Sequence, residues 1–134
     1  MERGEIIEFI TQNPYFYLAT VEGGKPRVRV MMLYRADERG ILFHTAKNKN
    51  VYHQLFDNPE IELCFFRTRN SMQVRISGVA EPIDDIDRKK EIVAECEFLR
   101  PWIDSEGYDP LIPFRIKDPV ATVWTIAPKA YVSL

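Results

Sequence analysis

Apolar residues recur at helical spacing near the start of the chain, with Ile6, Ile7, Phe9 and Ile10 falling on one side of a helix over residues 3–13. Asn13-Pro14 closes that helix, because the residue before a proline is pushed out of the helical region. The period then shortens. Tyr15 to Val21 reads as a strand, and Glu22-Gly23-Gly24-Lys25 supplies the positive-φ residues of a hairpin turn. Arg27 to Tyr34 is a second strand, and Asp37-Glu38-Arg39-Gly40 turns into a third, Ile41 to Thr45. A short helix over Lys49 to Phe56 ends at Asn58-Pro59, and Glu60 to Arg67 pairs with Met72 to Pro82 across Arg69-Asn70-Ser71.

Asp84 and Asp85 can cap a further helix, whose apolar face carries Ile92, Val93, Cys96 and Leu99. Pro101, Gly107, Pro110 and Pro113 make the next stretch irregular. Phe114 to Lys117 and Val120 to Ile126 return to strand, with Pro119 as a break or edge between them. Six or so short strands, joined mostly by hairpins, predict a mostly β fold, a closed or half-open antiparallel barrel. A parallel βαβ sheet is not expected, because most strand pairs lack a crossover helix.

Composition narrows this to one domain over residues 1–134, since domains usually run to roughly 100–200 residues. With 46% hydrophobic and 12% aromatic residues the chain can fill a core. Its 18 basic and 20 acidic residues leave a net charge of −2, which removes the electrostatic case for a nucleic-acid partner. No apolar run approaches the roughly 20 residues that cross a bilayer, and MERGEIIEF lacks a signal-peptide layout, so a soluble, cytoplasmic protein is expected. Cys64 and Cys96 lie in apolar sequence without metal spacing and read as reduced, buried thiols.

Three stretches could carry chemistry. In Arg27-Val28-Arg29-Val30-Met31-Met32, alternation puts Arg27, Arg29 and Met31 on one face and Val28, Val30 and Met32 on the other. Two neighbouring arginines need water or an anion between them, so that face is either a solvated exterior or an anion site. Phe43-His44-Thr45-Ala46-Lys47-Asn48-Lys49-Asn50 brings a hydroxyl, two ammonium groups and helix N-terminal amides into one short loop, a combination that suits a phosphate. The plainer alternative is that Lys47 and Lys49 are simply solvated. Gln73, Arg75 and Ser77 form a polar strand face that lines a site, an interface or water. Asp84, Asp85 and Asp87 read as a helix start, and His44 and His53 have neither triad nor metal spacing, so no metal site is expected and no side chain stands out as catalytic. An anion site without a nucleophile suits a protein whose bound cofactor carries the reactive chemistry.

Arg29-Val30-Met31-Met32-Leu33, then Asp37-Glu38-Arg39-Gly40 leading into Ile41-Leu42-Phe43-His44-Thr45, then Leu55-Phe56-Asp57-Asn58-Pro59 and Gln73-Val74-Arg75-Ile76-Ser77-Gly78, stand in an order that resembles the pyridoxamine 5'-phosphate oxidase-like superfamily of FMN-binding split barrels. The resemblance is close over roughly residues 5 to 82. It implies a six-stranded antiparallel Greek-key split barrel working as a homodimer, with FMN at the subunit interface. It further implies that Arg29 binds the FMN phosphate, that Val30, Met31 and Met32 run beside the flavin, and that Thr45, next to His44, lies at the cofactor. Gln73 would reach the flavin from the other subunit, with Arg75 favouring its reduced form.

The family's Arg-Lys pair falls on Asn50 and Val51 here, so Lys49 or Lys47 takes over as the phosphate ammonium, with Asn50 assisting. Tyr34 stands where the oxidases have a lysine, and the C-terminal Arg-x-His substrate motif has no counterpart. The resemblance therefore implies an FMN flavoprotein, a reductase or oxidase of a small molecule other than pyridoxamine phosphate. The alternatives are a split barrel using a deazaflavin coenzyme or haem, and a non-enzymatic FMN-binding electron carrier.

Overall fold

The N-terminal helix forms over Arg3–Gln12 (α1) in the computed structural model, which describes residues 1–125 and 130–134. It buries Ile6, Phe9 and Ile10, and the N–H of Asn13 closes it by donating to the carbonyl of Phe9. Eight strands follow: Tyr15–Glu22 (β1), Lys25–Met32 (β2), Arg35–Asp37 (β3), Gly40–Ala46 (β4), Glu60–Arg67 (β5), Met72–Pro82 (β6), Leu111–Trp124 (β7) and Ala130–Ser133 (β8). Three more helices intervene: Asn50–Asp57 (α2), Ile86–Glu95 (α3) and Arg100–Glu106 (α4). No described helix is long and apolar enough to cross a membrane.

All strand pairs are antiparallel, and the sheet runs β2-β1-β5-β6-β7-β4-β3, with β8 beside β7. The strands β2 and β3 end that path and do not pair with each other, which makes this a split barrel. Inside it, Phe16, Phe43, Phe65 and Phe114 are fully buried. Their rings meet in series, Phe65 to Phe16 at 5.0 Å, Phe16 to Phe43 at 5.8 Å and Phe43 to Phe114 at 5.6 Å. A separate small core of Ile92, Val93, Ile103 and Leu111 holds α3 and α4 against the start of β7.

Several elements depart from the pattern-based expectation. Among the described residues there are eight strands rather than six, because the short β3 and β8 add to the sheet. Three residues are too few to show alternation, and β3 exists only through its hairpin pairing with β4. The expected second strand ends at Met32, since Leu33 and Tyr34 turn the corner to β3. The stretch expected to be irregular contains α4: Pro101 sits in the first turn, where its missing N–H costs nothing, and Ile103 is buried. Pro119 does not break β7 into two strands. The ladder shifts by one residue between Ser77 and Val79, and Asp118 absorbs that bulge with a φ of 51°. Ile126, the expected end of that strand, lies outside the described residues.

Gly78 sits at this bulge because nothing larger fits. A Cβ there would lie 2.5 Å from Cγ2 of Ile116 and 2.9 Å from the carbonyl oxygen of Lys117. Gly78→Ala should therefore lose about 1–3 kcal/mol of unfolding free energy, the usual cost of overpacking. Urea unfolding that shows no loss would mean the bulge relaxes freely.

Candidate functional site

The split in the barrel is walled by β2 on one side, β4 on the other, and the helical segment from α3 to α4. Two cavities of about 420 and 400 Å³ lie along it. The first is bounded by Val30, Met31 and Met32 of β2, by Tyr34, and by Glu95, Cys96 and Phe98. The second is bounded by Thr45 and Lys49, and by Leu99 and Trp102. His44 lines both, so it stands at their junction.

Position along β4 explains this placement. Phe43 points into the core, and His44 and Thr45 lie at the strand end where the sheet opens. The His44 ring meets Tyr34 edge-on at 6.3 Å, and among the described residues no hydrogen bond reaches its nitrogens. Burial pushes its pKa below the ordinary 6.5, so the imidazole is neutral at pH 7. Lys49 is the N-cap of α2, its ammonium makes no ion pair among the described residues, and no acidic side chain occupies the first helical turn. This end of the cleft therefore carries unspent positive charge. Lys47, two residues earlier, turns to a different cavity of about 280 Å³ and pairs with Asp109 at 3.0 Å. The loop thus splits its two lysines between two sites.

Arg29 is on the inner face of β2, not on a solvated exterior. Its register row runs Arg29, Leu18, Leu63, Ile76, Ala121, and the last four are fully buried. At the edge of that row the guanidinium donates to Thr20 Oγ1 at 2.7 Å, to the Leu18 carbonyl at 3.2 Å, and to Oε1 of the buried Gln54 of α2. Glu22, which pairs with Arg27 at 3.1 Å, supplies the counter-charge that separates the two arginines. Arg29 lines neither cavity of the cleft; it sits beside α2, one turn in from Asn50.

The opposite face of the same sheet carries the other candidates. Val30, Tyr17, Cys64, Arg75 and Thr122 stand in one register row, with Gln73 and Phe66 paired in the next. Here Tyr15, Tyr17, Val28, Val30 and Met32 are each more than half exposed. The polar stripe of Gln73 and Arg75 is thus half-buried at the border of an exposed apolar face. Cys64 and Cys96 are free thiols that are half-buried rather than buried, and burial raises the pKa of both.

Sequence reading missed the far wall of the cleft. Phe98, Leu99 and Trp102 are apolar residues within a polar, proline-containing segment, and that contrast was the available signal. The segment is held down from outside by Arg35 on Glu91 and Glu95, at 2.8 and 2.6 Å, and by the Tyr34 hydroxyl donating to Glu95 at 3.0 Å.

A family model described as pyridoxamine 5'-phosphate oxidase matches residues 3–129. The pyridoxine/pyridoxamine 5'-phosphate oxidase of Psychrobacter cryohalolentis is 35% identical over 82 residues, which is 60% of this chain and 38% of that enzyme. The corresponding enzyme of Maricaulis maris is 39% identical over 67 residues, 49% of this chain and 30% of that one. The chain thus spans well under half the length of the curated relatives it matches.

Among solved structures, a NimC/NimA family protein from Clostridium acetobutylicum aligns with a TM-score of 0.84 at 20% identity, over 98% of this chain and 91% of that one. An FMN-binding protein from Nostoc punctiforme related to pyridoxamine 5'-phosphate oxidase aligns at 0.61 and 15% identity, over 98% and 96%. A FAD-binding protein from Mesorhizobium loti aligns at 0.66 and 16% identity, over 93% and 96%. At these identities the likeness establishes the shared fold.

His44 generates a pH prediction. Its folded pKa is lowered, so between that value and 6.5 the unfolded chain binds more protons. Its contribution to stability is full above pH 6.5 and declines as pH falls below it. Urea midpoints should therefore fall on going from about pH 7.5 to about pH 5.5, and His44→Gln should flatten part of that fall. An unchanged slope in the variant would contradict the half-buried, neutral assignment.

Proposed function

The chain belongs to the pyridoxamine 5'-phosphate oxidase family, and from that premise we propose that it is a single split-barrel domain that dimerises, binds FMN and acts as an oxidoreductase on a small molecule. One observation carries the reading: the cleft has, at one end, a lysine at a helix N-terminus with no ion pair among the described residues and, at the other, an apolar strand, joined at a neutral histidine. That is the polarity of a phosphate-tailed planar cofactor.

The residues present fit such a group. Lys49 and the N–H groups of Asn50 and Val51, which have no acceptor among the described residues, would hold the phosphate with the Asn50 side chain, because helix N-termini favour anions. Arg29, one turn along that helix, adds positive charge behind it. Thr45 and His44 would hydrogen-bond along the middle, and the backbone of Val30 to Met32 would run beside the ring. Lys47, drawn to Asp109, would assist only at the loop's margin. When bound, FMN supplies the hydride and electron chemistry. The protein's part is to hold the ring, exclude water from it with Phe98, Leu99 and Trp102, and set its hydrogen bonds.

Pyridoxamine phosphate is a poor fit as substrate. Tyr34 replaces the oxidases' lysine and donates to Glu95, and no lysine or arginine lines the cavity beside it. Dimerisation is favoured by the exposed face of Tyr15, Tyr17, Val28, Val30 and Met32, which is the kind of contiguous apolar patch that marks an interface. A second copy seated there would bring its Gln73 and Arg75 to the flavin.

The protein should bind FMN at least tenfold more tightly than riboflavin, since charged hydrogen bonds contribute about 1.5–3 kcal/mol each. Lys49→Ala should remove most of that advantage and leave riboflavin nearly unchanged in calorimetry. Equal affinities for the two flavins would overturn the phosphate assignment.

In sedimentation the protein should be a dimer, and Val30→Asp should give monomers that have lost flavin affinity. Mixing Gln73→Ala with Lys49→Ala subunits should build heterodimers in which one of the two sites is intact. Mixtures that exchange subunits but never regain binding would count against a shared site.

A further inference from the structure

Gln73 and Arg75 stand two residues apart on β6, so their side chains leave the sheet on the same side. Nε of Arg75 donates to Oε1 of Gln73 at 3.0 Å. Cys64, directly across the ladder from Arg75, donates its thiol hydrogen to the same oxygen at 3.6 Å. Burial keeps this thiol protonated and able to donate.

A primary amide has one acceptor oxygen and a nitrogen with two donor hydrogens. Turning the Gln73 amide over would set its NH2 against the guanidinium N–H, donor against donor, because a guanidinium has no acceptor, and would take the acceptor away from the thiol hydrogen. The network therefore admits one orientation. Both of its donors are spent on the oxygen, and among the described residues Nε2 has no partner. Gln73 presents N–H groups to whatever approaches it.

We propose that Arg75 and Cys64 are positioning residues that hold Gln73 as an obligate hydrogen-bond donor, so the atom it recognises on the cofactor ring is an acceptor, a ring carbonyl oxygen or an unprotonated ring nitrogen. The identity of the ring rests on the flavin reading above; the locked amide does not. Gln73→Glu separates the possibilities sharply. A carboxylate keeps the shape and pairs well with Arg75, yet it offers the ligand no donor.

The lock is read in the flavin-free protein by nitrogen-15 NMR. The Arg75 Nε–H should exchange slowly with water and speed up in Gln73→Ala; equally fast exchange in both overturns the lock. The ring contact is read by calorimetry with FMN and riboflavin. Gln73→Glu should weaken both by about tenfold, without lowering the urea midpoint, because one hydrogen bond is lost in each. Arg75→Met should weaken both several-fold, and Arg75→Lys should restore them, since an ammonium can also donate to Oε1. Gln73→Glu binding both flavins as tightly as the wild type would falsify the donor role. Wild-type protein that binds neither flavin defeats the cofactor reading and the ring contact with it, while the exchange measurement still decides the lock.

Discussion

The series of rings from Phe65 through Phe16 and Phe43 to Phe114 is the contact on which the architecture depends. Phe65 and Phe16 belong to the paired strands β5 and β1, and Phe43 and Phe114 to the paired strands β4 and β7. Phe16 and Phe43 are joined by no backbone ladder, so their contact at 5.8 Å crosses the barrel interior and ties its two halves together. A buried phenylalanine contributes about 1.5–3 kcal/mol, and each favourable ring pair roughly 0.5–1.5 kcal/mol more. A tie of that size lets the barrel remain open between β2 and β3.

The rest follows from strand periodicity. With Phe16 and Leu18 committed to the interior, Tyr15 and Tyr17 must face outward, because a strand alternates strictly. The ladder with β1 then forces Arg29 in and Val30 out. The barrel thus places a cation where a core residue would be expected and apolar side chains where water would be expected. The first is accommodated by Thr20, Gln54 and a carbonyl. The second leaves an exposed apolar face, and Gln73 and Arg75 border it. The same alternation that builds the core therefore builds the outer surface.

The helical segment between β6 and β7 turns the opening into a cleft. Its apolar residues form their own small core with Leu111, and its acidic residues Glu91 and Glu95 are drawn onto Arg35 and Arg39 beside β3. These ion pairs are partly exposed, and each contributes little alone. Their value is positional. They keep Leu99 and Trp102 beside His44, with Phe98 at the exposed rim, so that His44 is partly desolvated and the cleft has an apolar wall.

Much of this was readable from the chain. The ends of β5 and β6 coincide with the limits of their alternating residues, the Gly23-Gly24 turn adopts positive φ at both glycines, and α3 is capped by Asp85 as its position suggested. Those are local matters of period, turn chemistry and capping. The order of the motifs also pointed to the family, and Thr45, His44 and Lys49 do share one cavity. The helix α4 and the unbroken β7 were hidden because proline is a local signal, and tertiary pairing decided whether it interrupted anything. Above all, alternation in Arg27 to Met32 states which residues share a face but not which face is inside. Only the register with β1, and through it the packing of Phe16, Leu18, Leu63 and Ile76, turned Arg29 toward Gln54 and left Val30 in the open, since a strand has no inside until another strand fixes its register.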